Sequence, residues 1–237
     1  MFSDRIEGRV VAIGDIHGDL DQARRLLDYL TQNGVLENRW IVFLGDYVDV
    51  GPDTAKVIEL LLDVRATHPQ TTFLCGNHDL NLAKAMGLVE SPHKDFYWHR
   101  LHTRNTRTLH SYFATGKDFL EKMPAEHKDF LASLPWVVEH PDYLFVHCGF
   151  DPRQPIDEQV RHLRERDAAI FKPKWLHDDR LSFVDHRHQT AKTIIAGHAI
   201  LSDVRRCGNK VLIDTGAGYG GVLSALLLPE IQIIQTN

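Results

Sequence analysis

Five short apolar stretches in this chain each run into a residue of metal-ligand type, and that pattern narrows the folds open to it. Ile13 leads into Gly14-Asp15-Ile16-His17-Gly18, Leu44 into Gly45-Asp46-Tyr47-Val48-Asp49, and Cys75 into Gly76-Asn77-His78-Asp79. Val146 leads into His147-Cys148-Gly149, and Ala196 into Gly197-His198. Brief apolar runs that stop at glycine read as buried strands. Residues following the carboxyl ends of such strands converge in one crevice, where α/β folds carry their chemistry.

The chain has 237 residues, 43% of them hydrophobic, enough to bury a full core, so one domain over 1–237 is expected. Its formal net charge of −5 argues against general nucleic-acid binding, which rests on a basic footprint. No run reaches the length of a membrane span, and the chain enters strand pattern by Val10 with no signal-peptide apolar region. Three cysteines without a CxxC spacing, Cys75, Cys148 and Cys207, fit reduced thiols in a cytoplasmic protein. Cys75 and Cys148 are expected to be small buried residues rather than reactive ones.

Strand and helix alternate through the first half. Val10–Ile13, Trp40–Leu44 and Thr72–Cys75 read as strands. Between them, Leu20, Ala23, Leu26, Leu27 and Leu30 share one helical face, and Val57, Ile58, Leu61 and Leu62 another, with Asp53 or Thr54 as the second helix's cap. A βαβαβ opening predicts a mainly parallel first sheet. The stretch at about 91–117 is rich in His, Arg and aromatic residues and weakly periodic, and reads as an insertion near the mouth of the site. Pro124 opens a further helix that ends by Pro135. Strands then dominate: Val137-Val138, Tyr143–Val146, Ile194-Ile195, Val211–Ile213, Leu223–Leu228 and Ile231–Ile234. Short turns between several of these predict a mixed or antiparallel second sheet. Two mixed sheets packed face to face with helices outside, a four-layer α/β/β/α sandwich, would bury both sets.

The collected donors are carboxylate, amide and imidazole, with no thiolate partner. That mixture suits two divalent ions of the Mn, Fe or Zn type sharing a bridge, and Mn²⁺ is the expected occupant. Asp15 and His17, one residue apart after a strand, suit one ion. Asp46 has the two oxygens needed to bridge, and Asn77, His147 and His198 complete the second ion. Two ions roughly 3.5–4 Å apart bind and acidify one water and clamp phosphate oxygens. His78 projects toward the substrate as a general acid, with Asp49 as the carboxylate that fixes its tautomer. The expected reaction is in-line attack by metal-bound hydroxide without a phosphoenzyme.

With these motifs in this order, the chain resembles the PPP family of metallophosphatases, which includes serine/threonine protein phosphatases and bacterial diadenosine tetraphosphatases. Motifs of the GDxHG, GDxVDRG and GNH(E/D) kind stand at Gly14–Gly18, Gly45–Gly51 and Gly76–Asp79, followed by His147 and Gly197-His198. The match runs from about Arg9 to Leu228. It implies the same ligand set, the Asp49–His78 pair, and a β-sandwich flanked by helices. Val50 departs from the pattern: the family has an arginine there that grips the substrate phosphate bidentately. A second family arginine, in an LWxRxxF-like segment, has Arg166 as its nearest counterpart, with Arg164 as a substitute. Lys94, Arg100, Arg104 and Arg107 are candidates to replace the missing clamp, Arg104 and Arg107 foremost. The expected substrate-binding set is therefore Asn77, Arg166, Arg104 and Arg107. His186 and His188 are read as loop histidines rather than a third metal site.

The leading expectation is a phosphomonoester hydrolase of the serine/threonine protein phosphatase type, acting on a phosphorylated protein or small phosphoester. The alternatives are a dinucleoside polyphosphate hydrolase, in which Phe96, Tyr97 and Trp98 stack a base, and a phosphate-ligand binder of weak activity that has lost its clamp at Val50.

Overall fold

The computed structural model describes residues 2–114, 118–183 and 189–236. The chain opens β1 (Arg9–Ile13), α1 (Leu20–Gln32), β2 (Arg39–Phe43), α2 (Thr54–Thr67) and β3 (Thr71–Phe73). Four of the next helices are α3 (Asn77–Met86), α4 (Lys94–Thr103), α5 (Thr106–Ser111) and α6 (Phe119–Lys122), then α7 (Ala125–Ser133). After β4 (Val137–Glu139) and β5 (Tyr143–Val146) come α8 (Ile156–Glu165), α9 (Lys174–His177) and α10 (Asp179–Phe183). The chain ends in β6 (Thr193–Ala196), β7 (Arg205–Cys207), β8 (Lys210–Leu212), β9 (Ser224–Leu228) and β10 (Gln232–Gln235).

These strands form two mixed five-stranded sheets, ordered β10-β9-β1-β2-β3 and β4-β5-β6-β8-β7. Burial of both faces explains why the strands read as continuous apolar runs. Val10, Ala12, Val42 and Leu44 join Phe145, Ile195, Val211 and Ile213 in the core between the sheets. Val11, Ile13, Ile41 and Phe43, one residue out of phase, pack instead with Leu26, Leu30, Val57 and Ile58 of the helices. Asp19 caps α1 by accepting from the Gln22 N–H at 3.2 Å. Asp53 precedes α2, but its carboxylate takes Lys56 Nζ at 2.9 Å rather than a backbone N–H.

One expectation is corrected. Leu223–Leu228 and Ile231–Ile234 do not extend the second sheet. Their strands β9 and β10 return to the first, β9 pairing antiparallel with β1. β1 is buried on both faces, so the edge left by β2 on its other side needs a partner. β9 supplies it while sending Leu226 and Leu228 into the core between the sheets. The short strand β7, mostly exposed, carries no alternation to announce it. β1, β2 and β3 run parallel in the first sheet and β5, β6 and β8 in the second. The turns after β1, β2, β3, β5 and β6 carry the five motifs to one crevice. Among the described residues, no helix is long and apolar enough to cross a membrane.

Candidate metal centre

Asp46 is the point where the motifs meet. Its Oδ2 lies 3.5 Å from His17 Nε2 and 3.4 Å from His147 Nε2, and its Oδ1 accepts the His78 N–H at 2.8 Å. Ligand atoms of His17, Asp46 and His78 cluster within 4.8 Å of one another, and so do those of Asp46, His147 and His198. Asp46 belongs to both groups.

Each histidine is turned by a backbone or carboxylate acceptor behind it. His17 Nδ1 faces the Val48 carbonyl at 3.2 Å and His147 Nδ1 the Leu44 carbonyl at 2.9 Å, so the Nε2 lone pair of each points inward. His198 is reversed: Nε2 meets Asp179 Oδ1 at 2.7 Å, and Nδ1 faces inward, 3.2 Å from His147 Nε2. Asn77 Oδ1 lies 3.0 Å from His147 Nε2, and the same amide position is 2.9 Å from His198 Nδ1 and 3.2 Å from Asp46 Oδ2. Four atoms of acceptor type thus converge, an arrangement that favours a cation between them. Asp15 is buried, with Oδ2 accepting the His198 N–H at 3.0 Å and Oδ1 without a partner. These residues fit a pair of divalent ions by donor type and by direction.

Burial and charge pull the ligands in different directions: burial works against charged His147, but the Asp46 carboxylate outweighs it and raises the group. Burial, with Asp214 and Asp46 adding, pushes Asp15 well above the usual carboxylate range. Burial works against ionised Asp46 too, but His147 and His78 outweigh it and hold the group low. Burial brings His17 down to about 4, keeping its imidazole neutral as a ligand must be. His78 goes the other way: despite burial, Asp46 and the hydrogen bond to Asp49 raise it to about 9.

Strain is concentrated here. His17, Asp46, Asp49, Val50 and His198 all have φ between 49° and 69°, in the left-handed region that L-residues disfavour. The turns are held by Asp79, whose Oδ2 accepts from Asp46 N at 2.7 Å and Gly76 N at 2.9 Å while Oδ1 accepts from Tyr47 N at 3.0 Å. Gly76 and Gly197 are required by proximity: a Cβ on either would fall 2.0 Å from Asp46 Oδ1 or Asp15 Oδ1.

The model of the calcineurin-like phosphoesterases matches residues 8–219. The chain belongs to that family. It is a family of phosphoester hydrolases that use divalent metal ions. This calcineurin-like phosphoesterase is 25% identical to a symmetrical bis(5′-nucleosyl)-tetraphosphatase of Janthinobacterium sp. (strain Marseille), covering 95% of each chain. It is also 25% identical to the asymmetrical bis(5′-nucleosyl)-tetraphosphatase PrpE of Oceanobacillus iheyensis, over 95% of this chain and 91% of that one. A solved structure of a candidate diadenosine tetraphosphatase superposes with a TM-score of 0.64 at 20% identity, covering 99% and 98% of the two chains. A serine/threonine phosphatase from Saccharomyces cerevisiae gives 0.60 at 15% identity, covering 99% and 82%. Those two likenesses bear on the fold alone.

The phosphoesterase brings together Asp15, His17, Asp46, Asn77, His78, Asp49, His147 and His198. The arginines scatter. Arg107 donates from Nη1 to the Val50 carbonyl at 2.7 Å, beside the position where the clamp is missing. Arg104 is exposed at the end of α4. Arg166 donates to the Leu134 carbonyl at 3.3 Å and lines a cavity of about 610 Å³ with Cys75, Leu80 and Trp136. Arg164 pairs with Glu139. Arg100 lines a small cavity with Asp49, Asn81 and Asn105, its buried Nε unpartnered. Of the aromatics expected to stack a base, Tyr97 is buried with its hydroxyl on Phe171 O, Trp98 packs against the core, and Phe96 is exposed beside Phe171. Cys75 and Cys148 are buried, and burial raises both thiols. His186 and His188 lie outside the described residues.

Sequence reasoning missed Asp179 behind His198 and the half-exposed Tyr219, whose ring stands 5.2 Å from that of His17. It also missed Asn105 and Thr108, which bind Asp49. Tyr219 follows the Asp214-Thr215-Gly216 turn and was open to inspection. Asn105 and Thr108 sit in the aperiodic stretch, where nothing in the spacing marks them.

Proposed function

We propose that this chain is a dinuclear-metal phosphohydrolase, most active on dinucleoside polyphosphates. Asp15, His17 and Asp46 would hold one ion, and Asp46, Asn77, His147 and His198 the other; the mixed oxygen and nitrogen donors accept Mn²⁺, Fe or Zn, and Mn²⁺ is the ion proposed. When bound, the ions would acidify water and neutralise charge on the phosphoryl oxygens. The protein's own share is proton delivery and positioning. Asp49 Oδ2 takes His78 Nδ1 at 2.8 Å, which leaves Nε2 to hand a proton to the leaving oxygen as the P–O bond breaks. Arg107, anchored on the Val50 carbonyl, supplies the cation that residue 50 lacks. Arg104, three residues earlier at the end of α4, is the reserve for longer phosphate chains, whereas the contacts of Arg166 favour a structural role.

The observation that carries the dinucleotide reading is the end-to-end likeness to relatives bearing that activity in their names. One observation favours the second reading, a phosphomonoesterase of the serine/threonine type: so closely held a general acid is most useful when the leaving oxygen is a poor one. Steady-state hydrolysis by Mn²⁺-loaded protein decides between them. The expected result is a kcat/KM at least about tenfold higher on diadenosine tetraphosphate than on a phosphoserine peptide or p-nitrophenyl phosphate. The reverse order selects the phosphomonoesterase. No turnover with Mn, Fe or Zn would overturn both and leave a phosphate-ligand binder. On whichever substrate is turned over, Arg107→Ala is expected to cost about 10- to 100-fold, and Val50→Arg to restore most of it.

A further inference from the structure

Asp49 is almost fully buried and carries more hydrogen bonds than its partnership with His78 requires. Oδ2 receives both His78 Nδ1, at 2.8 Å, and Asn105 Nδ2, at 2.5 Å. Oδ1 receives the Thr108 hydroxyl at 2.5 Å. The same hydroxyl oxygen accepts the Asp49 N–H at 3.1 Å, and Thr54 Oγ1 stands 3.3 Å from that N–H. Thr108 therefore grips residue 49 by backbone and side chain together. Around it, Arg107 donates to the Val50 carbonyl, and the Ala55 N–H donates to Ser111 Oγ at 3.2 Å. Residues 105–111 thus close over the 49–55 turn at several points along its length.

This arrangement has a chemical consequence. A buried carboxylate held by a single partner would be free to rotate, and rotation releases the imidazole it holds. Thr108 holds one oxygen and Asn105 one side of the other, so the carboxylate plane of Asp49 is fixed. The only remaining direction on Oδ2 is the one His78 uses. That fixes the Nδ1–H tautomer and aims Nε2.

We infer that Asn105 and Thr108 are positioning residues for proton donation, acting through Asp49 on His78, and that they extend the enzyme's reach to substrates with poor leaving groups. The inference rests on the reading of His78 as general acid. In the step concerned, the bond from phosphorus to the leaving oxygen breaks, its electron pair stays on oxygen, and the proton on His78 Nε2 passes to that oxygen. Water restores the proton afterwards.

The test compares wild type, Asn105→Ala, Thr108→Val, Thr108→Ser and His78→Asn on matched p-nitrophenyl and phenyl substrates. Each pair is offered both as phosphate monoesters and as esters of thymidine 5′-phosphate, so that either substrate class reads the effect. Asn105→Ala and Thr108→Val are expected to lose at least about tenfold more kcat on the phenyl ester than on the p-nitrophenyl ester, a fraction of the full contribution of a general acid. Thr108→Ser is expected to recover to within about threefold of wild type, since it keeps the hydroxyl. In the metal-free protein, the downfield proton resonance of His78 Nδ1–H, assigned by its loss in His78→Asn, should broaden or vanish in Asn105→Ala and Thr108→Val. Equal losses on both esters, or an unmoved resonance, would overturn the positioning role while His78→Asn still shows the bias. If His78→Asn itself shows no bias, it is the acid reading that fails. Asn105 makes no capping bond to α5, so its alanine variant keeps the measurement available should Thr108→Val fail to fold.

Discussion

At the scale of single residues, the centre is built by contacts too close to tolerate change. Gly76 leaves no room for a methyl group beside Asp46. Gly76→Ala is therefore expected to displace that carboxylate and reduce bound metal from about two ions per chain to one or fewer, given the two-ion bridge it provides. Elemental analysis after dialysis against Mn²⁺ would show the loss, with the far-ultraviolet circular dichroism unaltered. Asp79 is as demanding, since three backbone N–H groups depend on its two oxygens. Asp79→Asn keeps the size but replaces one acceptor with a donor facing donors. It should lower the unfolding free energy by about 2–3 kcal/mol, as lost charged hydrogen bonds do, measured as a reduced urea midpoint. The GNHD motif was legible in the sequence, but only its first two side chains announced chemistry. The work of Asp79 is to hold other residues' backbone, and no residue type advertises that.

At the scale of elements, the pairing of β9 with β1 is reinforced from the turn that follows β9. Glu230 receives Arg39 Nη2 at 2.8 Å and Nη1 at 3.0 Å, and pairs with Arg9 as well. Arg39, from β2, also donates to the Leu228 carbonyl at 2.9 Å, so one guanidinium ties β2 to the end of β9. The hydrogen bond from Arg39 leads the causes that bring Glu230 down to about 2. Its folded value lies below the unfolded one, so its stabilisation is present above about pH 4.5 and is lost as pH falls through 2. The urea midpoint of wild type should exceed that of Glu230→Gln at pH 7, and the gap should close between pH 4.5 and 2. A gap constant with pH would show that the pair contributes by packing rather than by charge. These elements also mark where sequence reading was weakest. Nine of the strands were legible from apolar runs and the turns between them, the exposed β7 being the exception. The sheet to which β9 belongs was not, because its alternation is the same in either sheet and its partner lies over 200 residues away.

At the scale of the whole molecule, two sheets present the carboxyl ends of their parallel strands to one crevice and crowd acidic groups there. Burial pushes Asp79 up to about 7 and Asp214 to about 6, with Asp46 adding to both, a penalty that bound cations would relieve. Metal should therefore stabilise the fold as well as activate it. Mn²⁺ at a hundredfold excess over its dissociation constant is expected to add about 2.7 kcal/mol per site. Thermal unfolding followed with added Mn²⁺ and with EDTA would read this as a rise and a fall in Tm. Identical Tm values in both would argue against a metal centre in the native state.

The sequence by itself determined the kinds of atom at the site and their order along the chain. Strand ends and glycine turns are local, and ligand chemistry belongs to the side chains themselves. It also carried the absence of an arginine at Val50. Only the tertiary structure decided which nitrogen each histidine turns inward, because the Val48 and Leu44 carbonyls and the Asp179 carboxylate that orient them come from other segments. Only the tertiary structure brought Asn105 and Thr108, 56 and 59 residues further along the chain, onto Asp49. Hydrogen bonds across such distances leave no period in the sequence, so the general acid could be named from its motif but its support could not.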